Sequence, residues 1–143
     1  MKARRVLTLL VAVVIGAALA GPGVAYVLAM QNVDGLPSPA GVAATDAKLA
    51  AAAWRACGES GPIAIAPDNP WNFSYRLLTA TRVPRPGDRA VWAVARRHNV
   101  THPLADHRYW HFSGAALQIW ITRNWSAEQV AATLARDNLC HDV

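Results

Sequence analysis

The chain has 143 residues, of which 53% are hydrophobic and 16% charged, and its formal net charge is +5. This composition excludes a disordered protein, because disordered chains combine few apolar residues with a high net charge. The length excludes a large multidomain enzyme, since a typical domain takes about 100–200 residues. The sequence therefore predicts one small folded domain behind a distinct N-terminal segment.

The N-terminal segment is apolar. Residues 6–30 carry no charge and follow three cations within the first five residues. A helix needs about 20 apolar residues to cross a bilayer, and cations on its N-terminal flank keep that end in the cytoplasm. We therefore expect residues 1–30 to form a single-pass anchor in the inner (cytoplasmic) membrane, with the rest exported to the periplasmic side. A cleavable signal peptide is the alternative, because residues 18–20 (Ala-Leu-Ala) resemble a cleavage site.

Most of the positive charge belongs to this topology signal. Without the three leader cations the net charge is about +2, and nucleic-acid binding needs a basic stripe on the folded domain, so we expect no nucleic-acid partner. One cluster of arginines remains. It is suited to the phosphates of membrane lipids, and a solvated helix face is the alternative. The cluster consists of Arg82, Arg85, Arg89, Arg96 and Arg97.

Cys57 and Cys140 are the only two cysteines. An exported compartment is oxidising, so we expect them to form a disulfide that ties the first helix of the domain to the C-terminus. Chain-entropy reasoning assigns roughly 4 kcal/mol to such a closure. Two buried thiols that never meet are the alternative.

The start of the exported chain combines a flexible composition with a helix signal. Residues 31–43 contain two glycines and two prolines, which is typical of a linker, so the domain is expected to occupy residues 44–143. Thr45 is a suitable N-cap for a first helix at residues 47–57, which Gly58 would end.

Four more helices are predicted after the first. The second covers residues 71–82, the third starts at its cap Asp88 and runs to about residue 99, and the fourth and longest covers residues 107–124. Ser126 and Gln129 form a capping box for the last helix. We therefore expect a mainly α fold, with one N-terminal transmembrane helix and a small exported domain of about five helices.

Six tryptophans are many for a chain of this length. In a domain otherwise rich in alanine they are expected to fill the core. A subset that lines a groove or lies at the bilayer interface is the alternative. The six are Trp54, Trp71, Trp92, Trp110, Trp120 and Trp125.

Few side chains are arranged for catalysis. The sequence contains no G-x-S-x-G and no H-E-x-x-H motif, so it predicts neither a nucleophile elbow nor a metalloprotease site. Most carboxylates have a capping or turn role available, whereas Glu59, in the bend after the first helix, has none. Glu59 is the one candidate catalytic residue, since loops carry function disproportionately.

Four histidines are spaced four and five residues apart. Histidines at i and i+4 share a helix face, and two such pairs would supply the four ligands of a zinc site, with His107 and His111 as the candidate ligands in the longest helix. Capping and surface histidines are the preferred interpretation, so no metal or other cofactor is expected. The four are His98, His102, His107 and His111.

Residues 107–138 resemble part of the glycosyltransferase domain of class A penicillin-binding proteins, the peptidoglycan transglycosylases. The matching positions are Arg123, Ser126, Glu128, Val130 and Leu134. The chain departs from the family at Thr122, Ala127 and Ala135, where the family has glutamate, lysine and asparagine. The family's catalytic Glu-Asp-x-x-Phe motif and its Gly-Ser-Thr-Ile-Thr-Gln segment are missing.

The resemblance implies a shortened, inactive relative in which Arg123 and Glu128 remain as binding residues. We therefore expect a membrane-anchored cell-envelope protein whose helical domain binds a membrane or cell-wall partner, such as a cell-wall synthesis protein or a lipid-linked precursor. One alternative is a divergent peptidoglycan glycosyltransferase that acts on a lipid-linked disaccharide with Glu59 as its base. The other is a zinc-binding domain.

Overall fold

The computed structural model of the chain describes residues 2–79 and 84–140, and the side chains among them from residue 4 onward. Within these ranges it contains six α-helices and no strand. The expected mainly α fold, with one long N-terminal helix and five helices after it, is confirmed. The helices are α1 (Lys2–Gln31), α2 (Ala47–Ala56), α3 (Pro70–Leu78), α4 (Asp88–Thr101), α5 (Trp110–Asn124) and α6 (Ala127–Arg136).

The long helix α1 has two different environments. Its segment Arg4–Gln31 is long and apolar enough to cross a membrane, and the side chains of residues 4–20 are all exposed. From Gly21 onward the helix is partly covered, because it packs against α3 and α5. Pro22 lies inside α1 without ending it. Residues 4–20, which we call the free part of α1, therefore form an exposed apolar helix. The part from Gly21 onward belongs to the folded domain.

The core lies among α2, α4, α5 and α6. Trp54 of α2 is 1% exposed and packs with Leu117 and Leu134, which are fully buried. Burying a large apolar side chain contributes about 1.5–3 kcal/mol, so these few residues supply much of the stability of an alanine-rich domain. The expectation for the tryptophans holds for Trp54 and Trp125, whereas Trp71 is 48% exposed.

Two predicted N-caps, those of α2 and α4, are wrong; that of α4 is described with Glu59 below. The N-cap of α2 is Asp46 rather than Thr45, because an Asp46 carboxylate oxygen accepts hydrogen bonds from the backbone N–H groups of Lys48 (2.7 Å) and Leu49 (3.2 Å). The Thr45 hydroxyl instead donates to the Gly41 carbonyl, 3.1 Å away. The predicted capping box of α6 is present. α3 ends at Leu78, before the predicted residue 82, which lies outside the described residues.

The segment between α1 and α2 is bound to the domain by hydrogen bonds, unlike the flexible linker that its composition predicts. The backbone N–H of Ala40 donates to the Thr133 hydroxyl of α6 at 2.9 Å, and Ala40 is buried. Nearer to α1, the Asp34 carbonyl oxygen lies 3.2 Å from Nε2 of His98 in α4. The glycines and prolines of residues 31–43 therefore shape a connection that lies on the domain surface.

The predicted disulfide between Cys57 and Cys140 is present, with the two Cα atoms 5.0 Å apart. It joins the end of α2 to the chain that follows α6, across a sequence separation of 83 residues. Closing a loop of this length lowers the entropy of the unfolded chain and stabilises the fold by about 4.5 kcal/mol. The bond therefore reinforces the packing of α2 against α6.

His98 makes the stability of this arrangement depend on pH. The ring is 6% exposed, and burial, followed by the nearby His102, lowers the pKa of His98 below its ordinary value of 6.5, against the opposing effect of Asp34. As the pH falls through the ordinary histidine range, the unfolded chain therefore binds a proton at His98 more readily than the folded chain does. The contribution of neutral His98 to the free energy of unfolding is complete above that range and is lost on acidification.

We predict that the melting temperature falls between pH 7 and pH 5 and that His98→Gln reduces this slope. Thermal unfolding of the purified full-length protein in detergent, followed by circular dichroism, measures it. His107→Gln, at an exposed histidine, is the matched control and should keep the wild-type slope. An unchanged slope in His98→Gln would contradict the prediction.

Candidate functional site

A buried asparagine fixes the end of α1 to the beginning of α5. The Asn32 amide group donates to the Ser113 hydroxyl at 2.9 Å and to the Asp106 carbonyl oxygen at 3.0 Å, and its own oxygen accepts from the Asp106 backbone N–H at 2.6 Å. The backbone N–H of Ala105 also donates to the Asn32 carbonyl oxygen. Every polar group of this side chain is paired, as a buried amide requires.

A tryptophan fixes α3 to α1 closer to the N-terminus of α1. The Trp71 indole N–H donates to the Leu19 carbonyl oxygen at 2.9 Å. A Cβ atom on Gly23 would lie 3.4 Å from the same indole ring, so the absence of a side chain there lets the ring pack closely on α1. Asn69 caps α3, and Pro70 occupies its first turn. α3 therefore starts beside the residues of α1 at which its exposed, free part ends and its packing against the domain begins.

Between these two attachments lies a mostly apolar cleft, which we call the α1 groove. Its volume is about 290 Å³, and it is formed by α1, α3 and α5 together with Trp92 of α4. Ala25, Ala29 and Phe112 also line an adjoining cavity of about 490 Å³. The principal walls of the α1 groove are Pro22, Ala25, Phe73, Leu77, Phe112 and Ile119.

The upper end of the α1 groove, at Trp92 and His111, opens toward polar and charged side chains. Trp92 and His111 line both the groove and a third cavity of about 540 Å³, whose rim includes Arg96 and His107. Trp110 makes edge-to-face contacts with Trp92 (5.9 Å between centroids) and with His111 (4.9 Å). We call Arg96 with the neighbouring His107 and His111 the cationic patch, after the charge of Arg96. It lies near the start of α5 that Asn32 holds, so the groove runs from Pro22 and Pro70 to Trp92 and His111 beside this patch.

Glu59, the candidate catalytic residue, has a structural role instead of a free carboxylate. It is 9% exposed, and its oxygens accept backbone N–H groups of α4 from Gly87 (3.2 Å), Arg89 (3.0 Å) and Ala90 (3.4 Å). Gly87 has φ +82 and occupies the cap position of α4, so Asp88 is the first helical residue and not the cap. Glu59 thus supplies, from a distant loop, the cap that glycine cannot.

Of the five arginines expected to form one cluster, the four that the structure describes have different surroundings. Arg85 is 3.5 Å from the buried Asp68 carboxylate, and the Arg89 guanidinium donates to the Gly58 carbonyl at 3.0 Å. Arg96 belongs to the cationic patch, whereas Arg97 lines another cavity beside His98. Arg82 lies outside the described residues.

The remaining candidates lie apart from the groove walls. Arg123 is exposed at the end of α5. Glu128 is exposed in the first turn of α6, where its backbone N–H and then the Ser126 hydroxyl hold the pKa of the carboxyl below its usual range.

The histidines divide into two pairs. His98 and His102 stack with their ring centroids 4.1 Å apart, and His107 and His111 lie in the cationic patch. Among the residues that the structure describes, no three potential metal ligands come together.

No family model matches the chain, and no curated protein or solved structure is significantly similar to it. The resemblance of residues 107–138 to peptidoglycan transglycosylases therefore stays a prediction.

The role of Asn32 and the exposed apolar face of α3 were not predicted from the sequence. Asn32 lies in a stretch whose composition indicates a linker, and nothing local indicates a buried clamp. Trp71, Tyr75 and Leu78 do show a signal, because large apolar side chains at i, i+4 and i+7 form one helix face. That face is exposed in the structure.

We predict that Glu59→Gln destabilises the domain by about 1–2 kcal/mol, because an amide replaces a charged acceptor at a helix N-terminus and leaves a buried N–H group poorly paired. Chemical unfolding measures the loss. Glu128→Gln, at an exposed carboxylate in the first turn of α6, is the control and should cost clearly less. Equal stability of wild type and Glu59→Gln would contradict the structural role.

We predict that Asn32→Ala loosens α1 from α5, because it leaves the Asp106 backbone groups and the Ser113 hydroxyl without their partner, at a cost of about 1–3 kcal/mol for the group left unpaired. Hydrogen exchange followed by mass spectrometry should show faster exchange in residues 26–33 and 105–116. Asn124→Ala, which removes an exposed amide that binds only its own helix, should leave this exchange unchanged.

Proposed function

We propose that this protein is a single-pass cell-envelope protein, anchored in the cytoplasmic membrane by α1, whose exported domain binds the apolar chain of a phosphate-bearing lipid in the α1 groove. The lipid is either a membrane phospholipid or a lipid-linked cell-wall precursor. The observation that carries this proposal is that α1, the candidate membrane span, is itself one wall of the groove. The role is binding and presentation, without a chemical step.

The contacts of α1 support an uncleaved anchor. Cleavage after residue 20 would separate Leu19, whose carbonyl accepts the Trp71 indole N–H, from the rest of the protein. The following part of α1 supplies Pro22, Ala25 and Ala29 to the groove. The three cations that precede residue 6 favour a cytoplasmic N-terminus. A lipid in the outer leaflet would then lie next to the groove entrance.

The chemistry of the groove fits a lipid at both ends. Each methylene group transferred from water into an apolar site contributes about 0.8 kcal/mol, and most of the residues that line the groove are alanine, proline, leucine, isoleucine or phenylalanine. At the upper end the Arg96 guanidinium is exposed next to His107 and His111. A guanidinium pairs with phosphate through two parallel hydrogen bonds. This arrangement favours an anionic headgroup over a neutral one.

Photo-crosslinking tests the proposal with two lipid probes. The full-length protein is placed in phosphatidylethanolamine vesicles that contain diazirine-labelled phosphatidylglycerol in one arm and a diazirine-labelled polyprenyl phosphate in the other. We expect label on the peptide of α5 that lines the groove, which contains Phe112, Ala115 and Ile119. Preferential labelling by one probe identifies the source of the lipid.

Two variants make the test specific. Ala115→Phe fills the groove and should reduce labelling several-fold, whereas Ala52→Phe, at an exposed alanine of α2, should not. Arg96→Gln should weaken labelling by both phosphate lipids and leave labelling by a diazirine-labelled diacylglycerol unchanged. Labelling of this α5 peptide that is the same in Ala115→Phe as in wild type would refute the proposal.

A further inference from the structure

The outer face of α3 is apolar and exposed. Trp71, Tyr75 and Leu78 are 48%, 67% and 85% exposed, and their spacing of four and three residues puts them on one side of the helix. Scattered exposed apolar residues are normal, but a continuous stripe of large ones marks an interaction surface. We call these three side chains the α3 stripe.

Other side chains of α3 contact the protein and set the orientation of the stripe, although Leu77 is itself 71% exposed. Phe73 and Leu77 line the α1 groove. On another side the Arg76 guanidinium pairs with the carboxylates of Asp68 and Asp88, the second at 3.0 Å. A rotation of α3 that buried the stripe would break these ion pairs and open the groove.

The α3 stripe also begins beside a defined stretch of α1, residues 19–23. A span of about 20 residues that starts at Val6, after the leader cations, ends near Ala25. Trp71 binds the Leu19 carbonyl oxygen and packs on Gly23. The stripe therefore begins at the depth where the outer leaflet surrounds α1, and tryptophan and tyrosine are the side chains enriched at that interface.

We infer that α3 lies in the outer leaflet, along the boundary between the headgroups and the acyl chains, with the α3 stripe in contact with lipid. The inference rests on the proposed anchoring by α1 but not on occupancy of the groove. Short amphipathic helices bind membranes in this orientation through one buried apolar face. The domain then has two attachments to the bilayer, and the mouth of the groove, between α1 and α3, opens directly to lipid.

Fluorescence quenching by brominated lipids tests this position. Both native cysteines form the disulfide, so a cysteine introduced by substitution is the only free thiol for a fluorophore. Tyr75→Cys and Leu78→Cys report on the stripe. The controls are Leu49→Cys in α2, 63% exposed, and Val13→Cys in the free part of α1, 67% exposed.

In full-length protein reconstituted into vesicles of brominated phosphatidylcholine, we expect at least about twofold quenching at positions 13, 75 and 78, and none at position 49. Quenching at position 13 with none at 75 and 78 would overturn the inference and leave the anchor intact. No quenching at position 13 would overturn the proposed anchoring and the inference together. The stripe residues are exposed, so these substitutions leave the core unchanged, and the circular dichroism spectrum of each variant verifies its fold.

Discussion

The contact between Asn32 and the start of α5 is the constraint on which the rest of the arrangement depends. Because its amide satisfies both backbone groups of Asp106 as well as the Ser113 hydroxyl, α1 continues into the domain as a fixed element. The second attachment, from Trp71 to Leu19, sets the position of α3 along the same helix. The wall that α1 forms therefore exists only while α1 is docked, and the candidate membrane span is part of the site.

The polar groups buried elsewhere in the domain serve the same purpose of fixing helices. Glu59 caps α4 from a distant loop, and Asp68 pairs with Arg76 and Arg85 where α3 meets α4. Buried charges are costly unless they are paired, and these carboxylates have all of their partners in the protein. In this small domain Glu59 and Asp68 therefore serve to hold helices in place.

Much of the fold could be predicted from the sequence, because its signals are local. Ser126 and Gln129 mark the start of α6, Gly58 follows α2, and the length of the apolar leader indicates α1. The error at Thr45 arose because the next residue, Asp46, is an equally good cap. The site was not predictable in the same way. Glu59 binds an α4 backbone about thirty residues away, and the α1 groove combines three helices that are distant in the chain. Composition suggested a linker around Asn32, since glycine and proline content does not reveal what a segment packs against.

A groove built on the anchor also changes the energetics of lipid binding. A soluble domain must extract a whole lipid into water before it can bind it, at about 0.8 kcal/mol for each exposed methylene. If α1 spans the bilayer as proposed, the lipid chain would pass from the leaflet into a groove whose wall at Pro22 lies at the depth of that leaflet, so little apolar area meets water on the way. Such a site needs neither a large cavity nor a closing lid. It needs a rigid connection between the span and the domain, and that is the connection that Asn32 and Trp71 make.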